Sequence, residues 1–437
     1  MICPGRNSWY GRRGLVLLAL LCGCGVEGRR QAASEPGPGA ERGRPVAEER
    51  LVHRIPAEIT DVTGVVFSPD GGHVALIARS EGGQRVVHDG RPDLLCEEVG
   101  GLTFDPSGSR ILYKATRAGK QSVVVSGKRE EVYDAIHGNP VFAADGATVL
   151  VTAKTSGQWF VRMGDRSAGP YEEAGEPICS PRSGKIAYAA RMDGKWYVIQ
   201  GEAKSGGHDF IPGDFIVFDG KGEGVAWVGW EGANRFVVHR GQRGESFSTA
   251  GRPAVSADGS VAAYRAQEKE DSRWVLVVGS RKSRRFDWVG EPQFVGSGNQ
   301  VVCGASEGHQ WFVLHADREL KVEGVERIGT PVASSDGSRL AYPASSGREG
   351  MEQWWMNVDG RKGPTFAYVG AGRFSSDGRA FCYEARGAKG WLVAGTDQMS
   401  NQYDEVWPPA FSKDDQSFSF GARKGRTLYW VTMPASR

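Results

Sequence analysis

Pro331-Val-Ala-Ser-Ser-Asp-Gly-Ser-Arg-Leu-Ala-Tyr342 is the phrase from which the whole chain can be read. Two short runs of alternating, β-branched or aromatic residues flank an Asp-Gly pair, and such a pair supplies the positive-φ positions of a tight hairpin turn. The phrase returns as Phe67-Ser-Pro-Asp-Gly71, Phe142-Ala-Ala-Asp-Gly146, Val255-Ser-Ala-Asp-Gly259 and Phe374-Ser-Ser-Asp-Gly378. Turn positions fall at Asp70, Ser107, Asp145, Ser183, the neighbourhood of Lys221, Asp258, Ser297, Asp336, Asp377 and Asp414. Their spacing is roughly 38 residues, the range of propeller blades and solenoid repeats.

Each unit divides into four strands, a to d. In the third, strand a is Pro140–Ala143, b is Thr148–Ala153, c is Gln158–Arg162, and d runs through Tyr171 toward Ala174. Strand c opens on an aromatic followed by aliphatics: Trp159-Phe-Val, Trp196-Tyr-Val-Ile, Trp274-Val-Leu-Val, Trp311-Phe-Val-Leu, Trp355-Met-Asn-Val and Trp391-Leu-Val. A side chain of this size, once per unit, is read as a plug between neighbouring sheets. Strand d ends in an aromatic and an acid, as in Tyr133-Asp134, Tyr171-Glu-Glu173, Phe286-Asp287 and Tyr403-Asp-Glu405. Unit five, from Ile216 to Gly241, matches least well, with Gly-rich text where Asp-Gly is expected.

Together these marks resemble the WD-repeat-like blades of the TolB type, and Phe67–Gly71, Ala187-Tyr188, Ala341-Tyr342 and Val358-Asp-Gly360 carry the likeness. It spans Val65 to Met433, with Ser107 and Ser183 departing from the turn aspartate. The resemblance implies a β-propeller that binds other proteins or stands beside a catalytic domain. The expected fold is all-β, about ten four-stranded blades, above the usual range of roughly 4–8, so two five-bladed rings remain an alternative. Leu51-Val-His-Arg-Ile-Pro-Ala-Glu-Ile59 precedes the first strand a where a strand d belongs, while the last unit stops after its strand c, Leu428-Tyr-Trp-Val431. Pairing the two would close the ring and hide both sheet edges.

Residues 1–24 read as an export signal: Arg6, Arg12 and Arg13 precede the apolar run Leu15-Val-Leu-Leu-Ala-Leu-Leu21, which is too short to span a bilayer. Leu21-Cys-Gly-Cys24 resembles the lipobox of bacterial lipoproteins, which implies lipidation at Cys24 and stable anchoring by two or three acyl chains. Gly25 is not the aspartate of an inner-membrane retention signal, so the resemblance implies the outer membrane in a cell that has one. Residues 25–50, rich in Pro, Gly, Ala, Glu and Arg, read as a tether, and 51–437 as the propeller.

With 54 basic and 52 acidic side chains the net charge is only +2, which argues against a nucleic-acid partner. Cys96, Cys179, Cys303 and Cys382 fall in different units and read as small core residues rather than disulfide partners or metal ligands. Gly304-Ala-Ser-Glu-Gly308 has the nucleophile-elbow spacing, but it falls in a hairpin with no helix after it, so Ser306 is not read as catalytic. The eight histidines, His73, His88, His239, His309 and His315 among them, look scattered. No catalytic, cofactor or metal residue is assigned.

What remains is the b–c loops, where Arg117, Lys120, Arg191, Lys195, Arg386, Lys389, Arg423, Lys424 and Arg426 outnumber acids. These loops share a face with the d–a corners, so the face attracts an anionic partner unless the acids at the d-strand ends cancel it. The expected function is a non-catalytic protein-binding or scaffolding module at the cell envelope, with another envelope protein as partner. The alternative is a propeller hydrolase or lyase with its site in the central channel.

Overall fold

A computed structural model describes residues 47–436 apart from 269, 270 and 349. The expected signal segment, Cys24 and most of the expected tether lie outside the described residues. Ten antiparallel sheets follow one another along the chain. In the first, strands Asp61–Phe67, Val74–Ser80, Gly83–His88 and Arg91–Pro92 pair in sequence order. The second strand of most sheets is close to a continuous apolar run, as in Val74-Ala-Leu-Ile-Ala78 and Ile111-Leu-Tyr113, and it is buried on both sides. That pattern is dictated by position: a sheet packed between two others has no solvent face for polar residues to alternate toward.

The apolar side chains gather into ten clusters, and each lies between two consecutive blades. The tenth joins the last blade to the first, with Leu428 and Trp407 against Leu76, Val87 and Phe67. An unbroken circuit of interfaces excludes two five-bladed rings, and the chain forms one ring of ten blades.

Closure follows the expected route. Strand Glu48–Arg54 pairs antiparallel with Thr427–Pro434, supplying the outer strand that the tenth blade lacks. It starts ahead of the expected position, so Glu48, Glu49 and Arg50 belong to the sheet rather than the tether. Glu49 accepts hydrogen bonds from Tyr403 (2.5 Å) and Asn401 (2.8 Å), and Arg50 donates to the Gly71 carbonyl (2.6 Å). Arg426 donates to the carbonyls of Ile55 (3.1 Å), Pro56 and Ile59 (2.7 Å). Phe67 of the first blade packs edge-on to Trp407 at 5.1 Å, and Gly421 is required there because a Cβ would strike the Phe67 ring.

Three readings of the unit change in detail. Strand d of the third blade ends at Tyr171, while Glu173–Ala174 already pairs with the next blade. The ninth blade has three strands, its outer position held by isolated pairs of Ala394 with Met399 and Trp391 with Tyr403. The Asp-Gly turns are not two-residue hairpins. In the quoted phrase only Gly337 takes a positive φ, 72°, and Asp336 acts through its side chain, accepting from Ser334 Oγ (2.6 Å) and the Ser338 amide (3.0 Å). Ser334 Oγ in turn accepts from the Arg339 amide at 2.9 Å. Where Ser stands for Asp the roles swap: Asp105 accepts from the amides of Ser109 and Arg110, and Asp219 of unit five accepts from Glu223 and Gly224. The true two-residue turns, with both residues at positive φ, are the b–c and c–d ones, such as Ala118-Gly119 and Asp359-Gly360.

Deleting Glu48–Arg54 exposes the edge strand Thr427–Pro434 and opens the circuit of packing. The expected result is loss of the cooperative melt, or a midpoint lower by tens of degrees, in calorimetry; a melt equal to that of the parent would refute closure by this strand.

The turn aspartates also set an acid limit. Hydrogen bonds from Ser256 and Ser334, reinforced by the Ser260 and Ser338 amides and hydroxyls, pull Asp258 and Asp336 down to about 2. Because the folded value lies below the unfolded one near about 3.9, their stabilisation is complete above that value and is lost as pH falls toward about 2. Thermal melts should show an Asp258→Asn, Asp336→Asn variant less stable than the parent at neutral pH, with the gap closing between those two pH values. A gap independent of pH would assign the effect to something other than these carboxylates.

Candidate functional site

The face formed by the b–c turns and d–a corners is where the candidate loops lie, and its architecture starts with acids. In five blades the acid at the end of strand d turns onto the b–c turn of the next blade. Glu97 accepts from the Ala118 amide (2.6 Å), Asp209 from Gly232 (2.8 Å), Asp287 from Gly308 (2.6 Å) and Asp404 from Gly425 (2.6 Å). Glu172 does the same with Gly194 at 3.2 Å. Half of the blades therefore brace the turn of a neighbour through a carboxylate.

These acids also meet the basic loop residues. Lys120 pairs with Asp134 (2.6 Å), Lys195 with Asp209 (2.7 Å), Arg191 with Glu172 and Glu173 (3.4 and 2.9 Å), and Arg423 with Glu405 (3.4 Å). The hydrogen bond from Lys195 holds the Asp209 carboxyl below its usual range. Arg426 is spent on the seam. Arg117, Arg386, Lys389 and Lys424 are exposed and have no carboxylate at ion-pair distance among the described residues. Three of these four sit on blades nine and ten.

Of the strand c tryptophans read as plugs, Trp196 and Trp355 are buried between blades, while Trp159, Trp274, Trp311 and Trp391 are partly buried at the margins of the inter-blade clusters. By register Trp159, Trp196, Trp274, Trp311 and Trp391 stand at one position, opposite the last residues of strand b, and blade eight places Trp354 there. Trp355, the residue read from the sequence, is one step along and points to the opposite side, where it is buried. The deepest plugs include Phe247, Phe286 and Tyr403 at the strand d ends, with Tyr113 and Phe420 of strand b, each at most 3 % exposed. Toward the b–c face several of these tryptophans line up in rows with aromatics of the following blade or, for Trp311, of the inner strand of its own blade. Trp196, Phe210 and Trp230 follow at 5.5 and 4.9 Å, Trp288 and Trp311 at 5.7 Å, and Trp354, Tyr368 and Trp391 at 6.5 and 5.6 Å. Tyr368 and Trp288 are both 39 % exposed. Cations lie over several rings, Arg235 over Trp230 at 4.1 Å and Arg386 over Trp391 at 5.8 Å. A strict one-per-unit count conceals these rows, because half of each row comes from the residue opening the next strand a.

On the inner strands the exposed positions carry mixed side chains, Glu176, Arg252, Glu291, Thr330, Ala371 and Pro408 among them. Glu291 is 2.8 Å from Arg265. Half of its side chain is open, yet the surrounding protein raises its carboxyl above the ordinary range against the pull of Arg265 and Arg252. Ser306 is a buried residue of strand Val301–Glu307, paired with Trp311 and Trp288. Cys96, Cys303 and Cys382 are buried free thiols, and Cys179 is a half-buried one. The histidines are less scattered than their spacing suggests: His73 and His88 meet beside Asp89 at the face formed by the a–b and c–d turns.

No family model matches the chain, and no curated protein matches it. Among solved structures, an oligogalacturonate lyase in complex with manganese is 13 % identical over 77 % of this chain and 98 % of its own, with a TM-score of 0.36. The Dos1 propeller is 11 % identical over 90 % and 95 %, with a TM-score of 0.38. The dihydro-heme d1 dehydrogenase NirN is 14 % identical over 74 % and 75 %, with a TM-score of 0.35. The three are a lyase, a propeller and a dehydrogenase.

Replacing Phe286 by Ala should cost about 3–5 kcal/mol, whereas Tyr368→Ala, at an exposed ring, should cost under about 1 kcal/mol. Urea melts of the two variants test this division of labour; equal losses would return the surface aromatics to the core.

Proposed function

We propose that the chain is an exported lipoprotein, anchored through Cys24 at the cell envelope and at the outer membrane where the cell has one, whose propeller binds another envelope protein without catalysis. The observation that carries the reading is the row Trp354, Tyr368 and Trp391 with Arg386 and Lys389 beside it. Tyr, Trp and Arg around a partly exposed patch are the chemistry of interface hot spots, and cations free of internal carboxylates favour an acidic partner surface. The braced turns reduce the entropy lost on association.

A propeller hydrolase or lyase is the competing reading. Its support is Glu291, an acid of raised pKa beside Arg265 on the inner strands.

Crosslinking in the envelope, followed by recovery of this protein, should capture a partner that a Tyr368→Ala, Arg386→Glu, Lys389→Glu variant loses by about tenfold or more at unchanged melting temperature. Capture at the parental level would reject the patch. Loss of a chemical activity on Glu291→Gln with capture intact would favour the enzyme. Membrane fractionation of a Cys24→Ala variant tests the anchor separately, with release into the soluble fraction expected.

A further inference from the structure

We propose that His73, His88 and Asp89 form a binding site for a divalent transition-metal ion of the Zn²⁺ class. His73 ends the a–b turn of the first blade, His88 ends its strand c, and Asp89 opens the c–d turn with a φ of 46°. The hairpins bring together residues that the sequence separates. One ligand atom from each lies within 4.8 Å of the others.

The local geometry is that of a site rather than a finished hydrogen-bond network. Asp89 Oδ1 is already used, accepting from the Val74 amide at 3.0 Å, which fixes the carboxylate and leaves Oδ2 facing the rings. Oδ2 is hydrogen-bonded with His73 Nδ1 at 2.6 Å and lies 3.6 Å from His88 Nε2. The second distance exceeds a hydrogen bond, and His88 Nε2 is buried with no hydrogen-bond partner among the described residues. Phe104 of the second blade packs edge-on against the His88 ring at 5.6 Å, holding it toward the carboxylate. Bonds of about 2.0–2.1 Å in a tetrahedral site place ligand atoms about 3.3–3.4 Å apart, so His88 and Asp89 are close to that spacing. The exposed His73, at 2.6 Å from Oδ2, has to draw back from the carboxylate by under about 1 Å to reach that spacing.

Two imidazoles and one carboxylate suit Zn²⁺, Cu²⁺ or Ni²⁺ and not Mg²⁺ or Ca²⁺, which prefer oxygen donors. Three protein ligands leave a position for water or an outside donor. The ion would tie the a–b turn to the c–d turn in the blade next to the seam, where the ring of His53 lies against Gly90 of the same c–d turn.

The test is calorimetric titration of the untagged, metal-stripped chain with ZnCl₂ and, separately, MgCl₂, together with thermal melts. Expected are one Zn²⁺ per chain at micromolar affinity, a rise in melting temperature with Zn²⁺ alone, and at least about a tenfold loss of affinity in His73→Ala and His88→Gln. His73 is largely exposed, so its variant folds and carries the test even where His88→Gln does not. No Zn²⁺ binding up to about 100 μM, or equal binding in the parent and the His73→Ala chain, overturns the site.

Discussion

No blade of this protein can be stable by itself. The second strand of most sheets buries residues on both faces, as Val74–Ser80 and Ile111–Arg117 do, and a single sheet would leave one of those faces in water. The remedy is a neighbour on either side, and only a closed circuit gives every sheet two. Ten clusters at ten junctions are the outcome, and the pairing of Glu48–Arg54 with Thr427–Pro434 makes the last junction possible. Because the closing strand comes from the opposite end of the chain, the ring is held by backbone hydrogen bonds as well as by packing.

The two faces of the ring solve the turn problem differently. The a–b turns are tightened from within by Ser–Asp hydrogen bonds, and some reach across to the adjacent turn. Asp415 stands where other units have Gly, and its carboxylate accepts from the amides of Ser376 and Asp377. Half of the b–c turns are tightened from outside, by the acid of the preceding blade. This use of the acids explains why so many loop cations are neutralised, and why those left unpaired stand out on blades nine and ten.

The repeat, the all-β class and the closing strand were legible because a turn phrase recurring at fixed spacing and a missing outer strand are both properties of one-dimensional text. What misled was the side on which a residue points. Trp354 and Trp355 differ by a single step, and in a strand one step exchanges buried for exposed. The Asp-Gly pair looked like a hairpin turn because the Ser two residues earlier, its hydrogen-bond partner, has no fixed meaning in sequence. Unit five seemed to lack its turn because Asp219 does the work from the position usually held by Ser. The meeting of His73 with His88 and Asp89 depends on how far two hairpins twist, and no spacing rule encodes that. The capping of b–c turns by acids was half visible: the acid recurred, but its target lay in the next blade.

The strand that completes the tenth sheet is also the first described strand of the chain. Any pull transmitted along the polypeptide from the N-terminal side therefore arrives at the seam before it reaches any other junction. Its resistance is a row of interstrand amide bonds in the Glu48–Arg54 pairing, backed by Arg50 on the Gly71 carbonyl and Arg426 on the carbonyls of Ile55, Pro56 and Ile59. The latch of the ring is therefore its first strand, so load arriving from the N-terminal side and structural closure meet in the same seven residues.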